Sequence, residues 1–126
     1  MSKARMISII DDDALARDGI RELVESLGYD SLTFVSAEHF LESGSVDKTN
    51  CLITDIQMPG LSGLELQEKL QAQGYRTPII LITAYPNEQQ RNRALGAGAI
   101  GFLCKPFEEH SLIECLNLAM NRVASN

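Results

Sequence analysis

No apolar run in this chain approaches the roughly 20 residues that a membrane-spanning helix needs. The opening Met-Ser-Lys-Ala-Arg passes straight into an apolar-then-acidic stretch without a signal-peptide pattern. No membrane association is expected, and a soluble, intracellular, cytoplasmic protein is. Basic residues are also few, with 11 Lys and Arg against 17 Asp and Glu and a formal net charge of −6. Without a basic cluster to reverse that balance, the chain lacks an electrostatic footprint for nucleic acid, and any DNA binding belongs to another chain or domain. Cysteine is limited to Cys51, Cys104 and Cys115, odd in number, widely spaced and set in apolar stretches. That argues against a disulfide framework or a zinc site and for small core residues in a reducing compartment. There is no internal repeat, low-complexity segment or linker. One domain is expected over residues 1–126, with its core at about 6–123.

What the sequence does contain is a series of short apolar runs that each end in a polar group. Met6-Ile7-Ser8-Ile9-Ile10 runs into Asp11-Asp12-Asp13 and reads as a buried strand. Ala16, Ile20, Leu23, Val24 and Leu27 follow at helical spacing, with Gly28 as a C-terminal cap. A second strand is expected over 31–35, then a short helix that Ser36 caps and that carries Ala37, Phe40 and Leu41 to Gly44. Residues 45–50 read as polar loop. Cys51 to Thr54 form the third strand, which leads to Asp55 and a Met58-Pro59-Gly60 turn, and Gly63 then opens a helix with Leu66 and Leu70 on one side. Residues 78–84 are apolar throughout, as a strand covered on both faces must be, and include Thr83. The fourth helix, over about 87–97, is anchored only by Ala94, Leu95 and Ala97. Such a narrow stripe gains little from burial, so this helix should open or shift at low cost. A fifth strand over 98–104 leads to Lys105-Pro106-Phe107. A last helix from about 108 places Ile113, Leu116, Met120 and Val123 at helical spacing.

Strands alternating with helices imply an α/β fold, a parallel sheet joined by right-handed crossovers. Parallel strands deliver their C-terminal ends to one side, so the acidic triplet, Asp55, Thr83 and Lys105 should converge. Ligands bind at that edge in open α/β sheets. Each residue also has a plainer explanation. Asp55 could only begin a turn, Thr83 is a β-branched strand residue, Lys105 could be an ordinary surface lysine, and the acidic triplet suits a helix N-terminus. Their coincidence at one edge favours a site. Several carboxylates, one hydroxyl and one ammonium do not make a Ser/His/Asp hydrolase, because His39 and His110 lie on helices away from the edge. They suit a hard divalent cation with oxygen ligands, most simply magnesium (Mg2+). A carboxylate attacks an anionic phosphoryl group only when charge is screened, and metal and Lys105 would screen it while Asp55 attacks in line.

The acidic pair Asp11-Asp12, Asp55 with Met58-Pro59-Gly60, Thr83-Ala84 and Lys105-Pro106-Phe107, in that order over nearly the whole chain, resemble the CheY-like receiver domain of two-component response regulators. Ser36-Ala37-Glu38 and the composition of the last strand and helix resemble the FixJ and NtrC types. The resemblance implies a single (βα)5 flavodoxin-like, doubly wound parallel sheet in strand order 2-1-3-4-5. It implies a phosphoacceptor at Asp55 and magnesium held directly by Asp12, Asp55 and the backbone carbonyl of Gln57, with Asp11 acting mainly through water. Thr83 matches the switch hydroxyl, Lys105 the phosphate-binding lysine in a cis Lys105-Pro106 peptide, and Phe102 the aromatic switch residue. The implied partners are a sensor histidine kinase or phosphotransfer protein, and an output domain or partner protein bound through the surface of the fourth helix, fifth strand and fifth helix. A homodimer formed on phosphorylation is a further implied assembly. The chain would then be a phosphoacceptor switch, not an enzyme acting on others.

Two rival readings remain. Asp11 and Asp13 make the Asp-x-Asp of a haloacid-dehalogenase-like phosphatase, although so compact a chain leaves little room for a cap. A pseudo-receiver would bind partners without phosphorylation, but usually lacks part of the acidic set, which is complete here. Tyr85, two residues past Thr83, is expected to slow hydrolysis of an aspartyl phosphate, and Pro86 to stiffen its loop.

Overall fold

The computed structural model describes residues 5–124, so the domain expected over 1–126 extends beyond the described residues at both ends. Five short apolar runs pair as parallel strands β1 (Met6–Ile10), β2 (Asp30–Phe34), β3 (Cys51–Asp55), β4 (Ile79–Thr83) and β5 (Gly101–Cys104), in the order β2-β1-β3-β4-β5. Helices α1 (Ala14–Ser26), α2 (Ala37–Ser43), α3 (Gly63–Ala72), α4 (Glu88–Gly96) and α5 (Glu109–Ala124) complete the doubly wound architecture. β3 and β4 are buried along their whole length because helices cover both faces of the sheet. Alternate residues therefore feed two cores. Ile7, Ile9, Ile53, Ile80 and Ile82 meet α1 and α5, whereas Ile10, Leu52 and Leu81 meet α2 and α3.

The helix starts follow local chemistry. Asp13, Ser36, Ser62 and Asn87 each accept a backbone N–H of the first turn of α1, α2, α3 and α4. At α3 the cap is reciprocal, since the Glu65 side chain also accepts the Ser62 N–H. Gly63 begins α3 where a Cβ would run into the backbone carbonyl of Asp55, so the helix start lies directly on the end of β3.

Several expectations shift. β5 begins at Gly101 and not at 98, because Gly98 (φ 95°) and Ala99 return their N–H groups to Leu95 and Ala94 and so finish α4. Pairing starts only with the Ile100 N–H on the Ile79 carbonyl. β2 lies one residue earlier than expected, leaving Val35 exposed on the way to Ser36. The expected loop at 45–50 contains a 3-10 turn over Ser45–Lys48, tied down by Thr49, whose hydroxyl donates to the Ser45 carbonyl and meets Ser8 at 2.7 Å. α5 buries Leu112, Cys115, Leu116 and Ala119, with Ile113 at the margin of that face. Leu27 is exposed at the end of α1. Cys104 is exposed as well, because it ends an edge strand on the side where α4 offers little cover, whereas Cys51 and Cys115 are buried as expected.

Candidate functional site

The ends of β1, β3, β4 and β5 bring Asp11, Asp55, Thr83 and Lys105 to one edge. Asp11 is only 1 % exposed. Its Oδ1 accepts the Asp13 N–H at 2.9 Å and its Oδ2 accepts Lys105 Nζ at 2.8 Å. The same ammonium reaches Asp55 Oδ2 at 3.3 Å. Lys105 is aimed there by its backbone, since its N–H donates to the Thr83 carbonyl at 2.8 Å and Lys105-Pro106 is cis, as the resemblance implied. Asp12 is exposed beside the buried pair, and Asp13 is occupied as the cap of α1.

Burial raises the Asp55 carboxyl above the ordinary range, and the charge of Asp11 raises it further against the opposing pull of Lys105. For Lys105, partial burial lowers the ammonium, but the hydrogen bond and charge of Asp11, then those of Asp55, outweigh it and the net direction is upward. Among the described residues, Asp55 Oδ1 is the buried side-chain polar atom with no hydrogen-bond partner. Carboxylate oxygens of Asp11, Asp12 and Asp55 lie within 4.8 Å of one another. An unsatisfied buried oxygen in an all-oxygen acidic cluster fits a hard divalent cation such as magnesium. His39 lies edge-on to Phe34 and His110 pairs with Glu108, so neither is hydrogen-bonded to the cluster.

Thr83 is fully buried, and its hydroxyl is already engaged. It donates to Gln57 Oε1 at 2.6 Å and accepts the Tyr85 N–H at 3.0 Å. Gln57 was expected to matter through its backbone carbonyl and, two residues past Asp55, as a place from which water access is tuned; the contact of its side chain with Thr83 is what sequence reasoning missed. Tyr85 is 76 % exposed. Phe102 is half-buried opposite Leu81, and with Pro86, Asn87, Glu88, Arg91 and Cys104 it lines a groove of about 300 Å³ between α4 and β5.

Two further supports were not foreseen. Glu38 on α2 accepts the Leu61 N–H at 2.7 Å and so holds the turn after Asp55, which gives the Ser36-Ala37-Glu38 motif a local purpose. From α3, Gln67 donates to the Ala94 carbonyl at 3.1 Å, Gln71 donates to the Ala97 carbonyl, and Glu68 pairs with Arg93 at 2.7 Å. Glutamine and glutamate at 67, 68 and 71 were the available signal, polar residues on a helix beside a helix with little apolar surface.

A family profile described as the response regulator receiver domain matches residues 7–117. The chain is 36 % identical over 121 residues to the transcriptional regulatory protein TdiR of Thauera aromatica, covering 94 % of this chain and 53 % of TdiR. It is 34 % identical over 124 residues to the transcriptional regulatory protein FixJ of Azorhizobium caulinodans, covering 98 % of this chain and 59 % of FixJ. A crystal structure of a response regulator receiver domain protein from Clostridium thermocellum superimposes with a TM-score of 0.88 at 27 % identity, covering 95 % of this chain and 97 % of that one. The chain thus spans little more than half the length of the curated relatives it matches.

Proposed function

Because the chain belongs to the response regulator receiver domain family of two-component systems, we propose that it accepts a phosphoryl group on Asp55 from a sensor histidine kinase or a phosphotransfer protein. The observation that carries this reading is the state of Asp55, which is buried with one oxygen unpartnered and the other 3.3 Å from the Lys105 ammonium.

Asp55 is the nucleophile. One carboxylate oxygen bonds to phosphorus as the phosphorus–nitrogen bond of a phosphohistidine donor breaks; the bond's electron pair stays on nitrogen, and the imidazole leaves neutral with the proton already held on its other ring nitrogen. Lys105 offsets the charge that gathers on the phosphoryl oxygens and orients the carboxylate through its own backbone anchor on β4. Asp12, Asp55 and the backbone carbonyl of Gln57 would hold magnesium directly and Asp11 through water. When bound, that ion supplies the charge screening an anionic nucleophile needs against an anionic substrate. Thr83 then donates its hydroxyl proton to a phosphoryl oxygen.

Moving Thr83 inward opens space behind it for Phe102, which repacks the face of α4, β5 and α5. That face is the proposed contact for an output domain, a partner protein or a second copy of the chain. Shifting such an equilibrium from 1:99 to 99:1 takes about 5.5 kcal/mol. A few charge-assisted hydrogen bonds are of the right size to supply most of it.

The test is incubation with acetyl phosphate and magnesium, followed by intact-mass and sizing measurements. Wild type should gain the mass of one phosphoryl group and Asp55→Ala none. Uptake that survives in Asp55→Ala but is lost in Asp11→Asn would overturn the reading in favour of the phosphatase chemistry.

A further inference from the structure

We infer that the Gln57 side chain is a resting-state latch on Thr83, a positioning residue that competes with the phosphoryl group for a single proton. The inference rests on the phosphoacceptor reading of Asp55 and specifies what opposes its switch. A threonine hydroxyl has one proton to donate. In this structure it goes to Gln57 Oε1 at 2.6 Å, while a hydroxyl lone pair receives the Tyr85 N–H at 3.0 Å. Thr83 is fully buried in this arrangement, so water does not compete with Gln57 for that proton at rest. Donating to a phosphoryl oxygen therefore requires the Gln57 contact to be given up first.

The latch also touches the element that is meant to move. Gln57 Nε2 points to Gln90 Oε1 on α4 at 3.5 Å, the long end of hydrogen-bonding range. One amide thus faces the hydroxyl through its oxygen and α4 through its nitrogen. Gln57 itself is exposed on the loop after β3, so exchanging it leaves the cores untouched. The apparent affinity for a phosphoryl group scales with the fraction of molecules whose Thr83 is free to donate to it. Removing a neutral hydrogen bond of ordinary net strength raises that fraction by between about twofold and tenfold.

The experiment is a beryllium fluoride titration in magnesium, followed by amide NMR, on wild type, Gln57→Met, Thr83→Val and the double variant. Methionine keeps the length of glutamine without its amide oxygen. The latch predicts that Gln57→Met binds the phosphoryl analogue about two- to tenfold more tightly and shifts the Tyr85 amide resonance before any analogue is added. It also predicts that the same change has no effect on affinity in the Thr83→Val background. An unchanged affinity in the single variant overturns the inference. So does an equal gain in both backgrounds, which would mean that Gln57 acts on access to Asp55 and not through Thr83. Failure of the phosphoacceptor reading looks different: wild type takes up neither acetyl phosphate nor the analogue, whatever Gln57→Met does to the Tyr85 resonance.

Discussion

Lys105 is hydrogen-bonded to two carboxylates, Asp11 and Asp55, and among the described residues no other side-chain cation pairs with them, which sets what the residue does even at rest. Asp11 is almost wholly buried, and the Lys105 side chain is itself only 22 % exposed. Replacing Lys105 with methionine keeps its length and removes the charge, leaving Asp11 and Asp55 to repel with no ammonium between them. The expected cost is about 2 kcal/mol, below that of a fully buried pair because solvent reaches the ammonium. Urea unfolding of Lys105→Met against wild type measures it, and an unchanged midpoint would mean that the pair is neutral for stability. Lys105 and the acidic residues were legible in the sequence because each ends an apolar run, and parallel strands must end together. The Gln57 to Thr83 contact was not, since it joins the loop after β3 to the end of β4 through a flexible side chain. Cys104 was misread for a related reason. An apolar neighbourhood in sequence does not reveal which side of an edge strand is left bare.

At the scale of elements, α4 is held by polar pins where the other helices are held by burial. Ala94 is its buried residue and Leu95 is 37 % exposed, so the narrow stripe expected from sequence is narrower still. Gln67, Gln71 and Glu68 of α3 compensate, two by capturing carbonyls at the end of α4 and one by pairing with Arg93. Amide exchange in α4 should therefore be faster than in α5, and Gln67→Ala should speed it further with little effect on α5. Equal protection in the two helices would refute this account of α4. The start of α3 allows a prediction with pH. Glu65 accepts the Ser62 N–H, and that bond, followed by the one with the Ser62 side chain, lowers its carboxyl below the ordinary 4.5. A group whose folded value is depressed stabilises the fold above its unfolded value and loses that contribution as pH falls through the folded one. Wild type should thus lose stability below about pH 4.5 more steeply than Glu65→Gln, as thermal melts across pH 3 to 6 would measure. Identical slopes would show that the reciprocal cap is not titrating. Element boundaries were less legible than elements. Gly98 and Ala99 look like strand in an apolar run, yet their N–H groups are used to close α4.

For the molecule as a whole, the topology itself creates the site and its cost. The strands of the described residues are parallel, so folding carries Asp55 beside the adjacent Asp11 and Asp12, in a chain already at −6, into one cluster with oxygens within 4.8 Å. The charge of Asp55, far from that pair in the unfolded chain, is its neighbour in the folded one. The fold therefore holds a local repulsion that a cation bound there would relieve. Since the unfolded chain has no such cluster, magnesium should stabilise by mass action, by about 2.7 kcal/mol at a hundredfold excess over its dissociation constant. For a domain of this size that is a rise of several degrees in melting temperature. Sodium at equal ionic strength separates binding from screening, because screening depends on ionic strength alone. Asp12→Asn separates it from any binding elsewhere. That variant should melt higher than wild type without magnesium, having lost a repulsive charge, and respond less when magnesium is added. If sodium matches magnesium, or Asp12→Asn responds as fully as wild type, the cluster is only a repulsive feature of the sheet edge and magnesium has no special place in it.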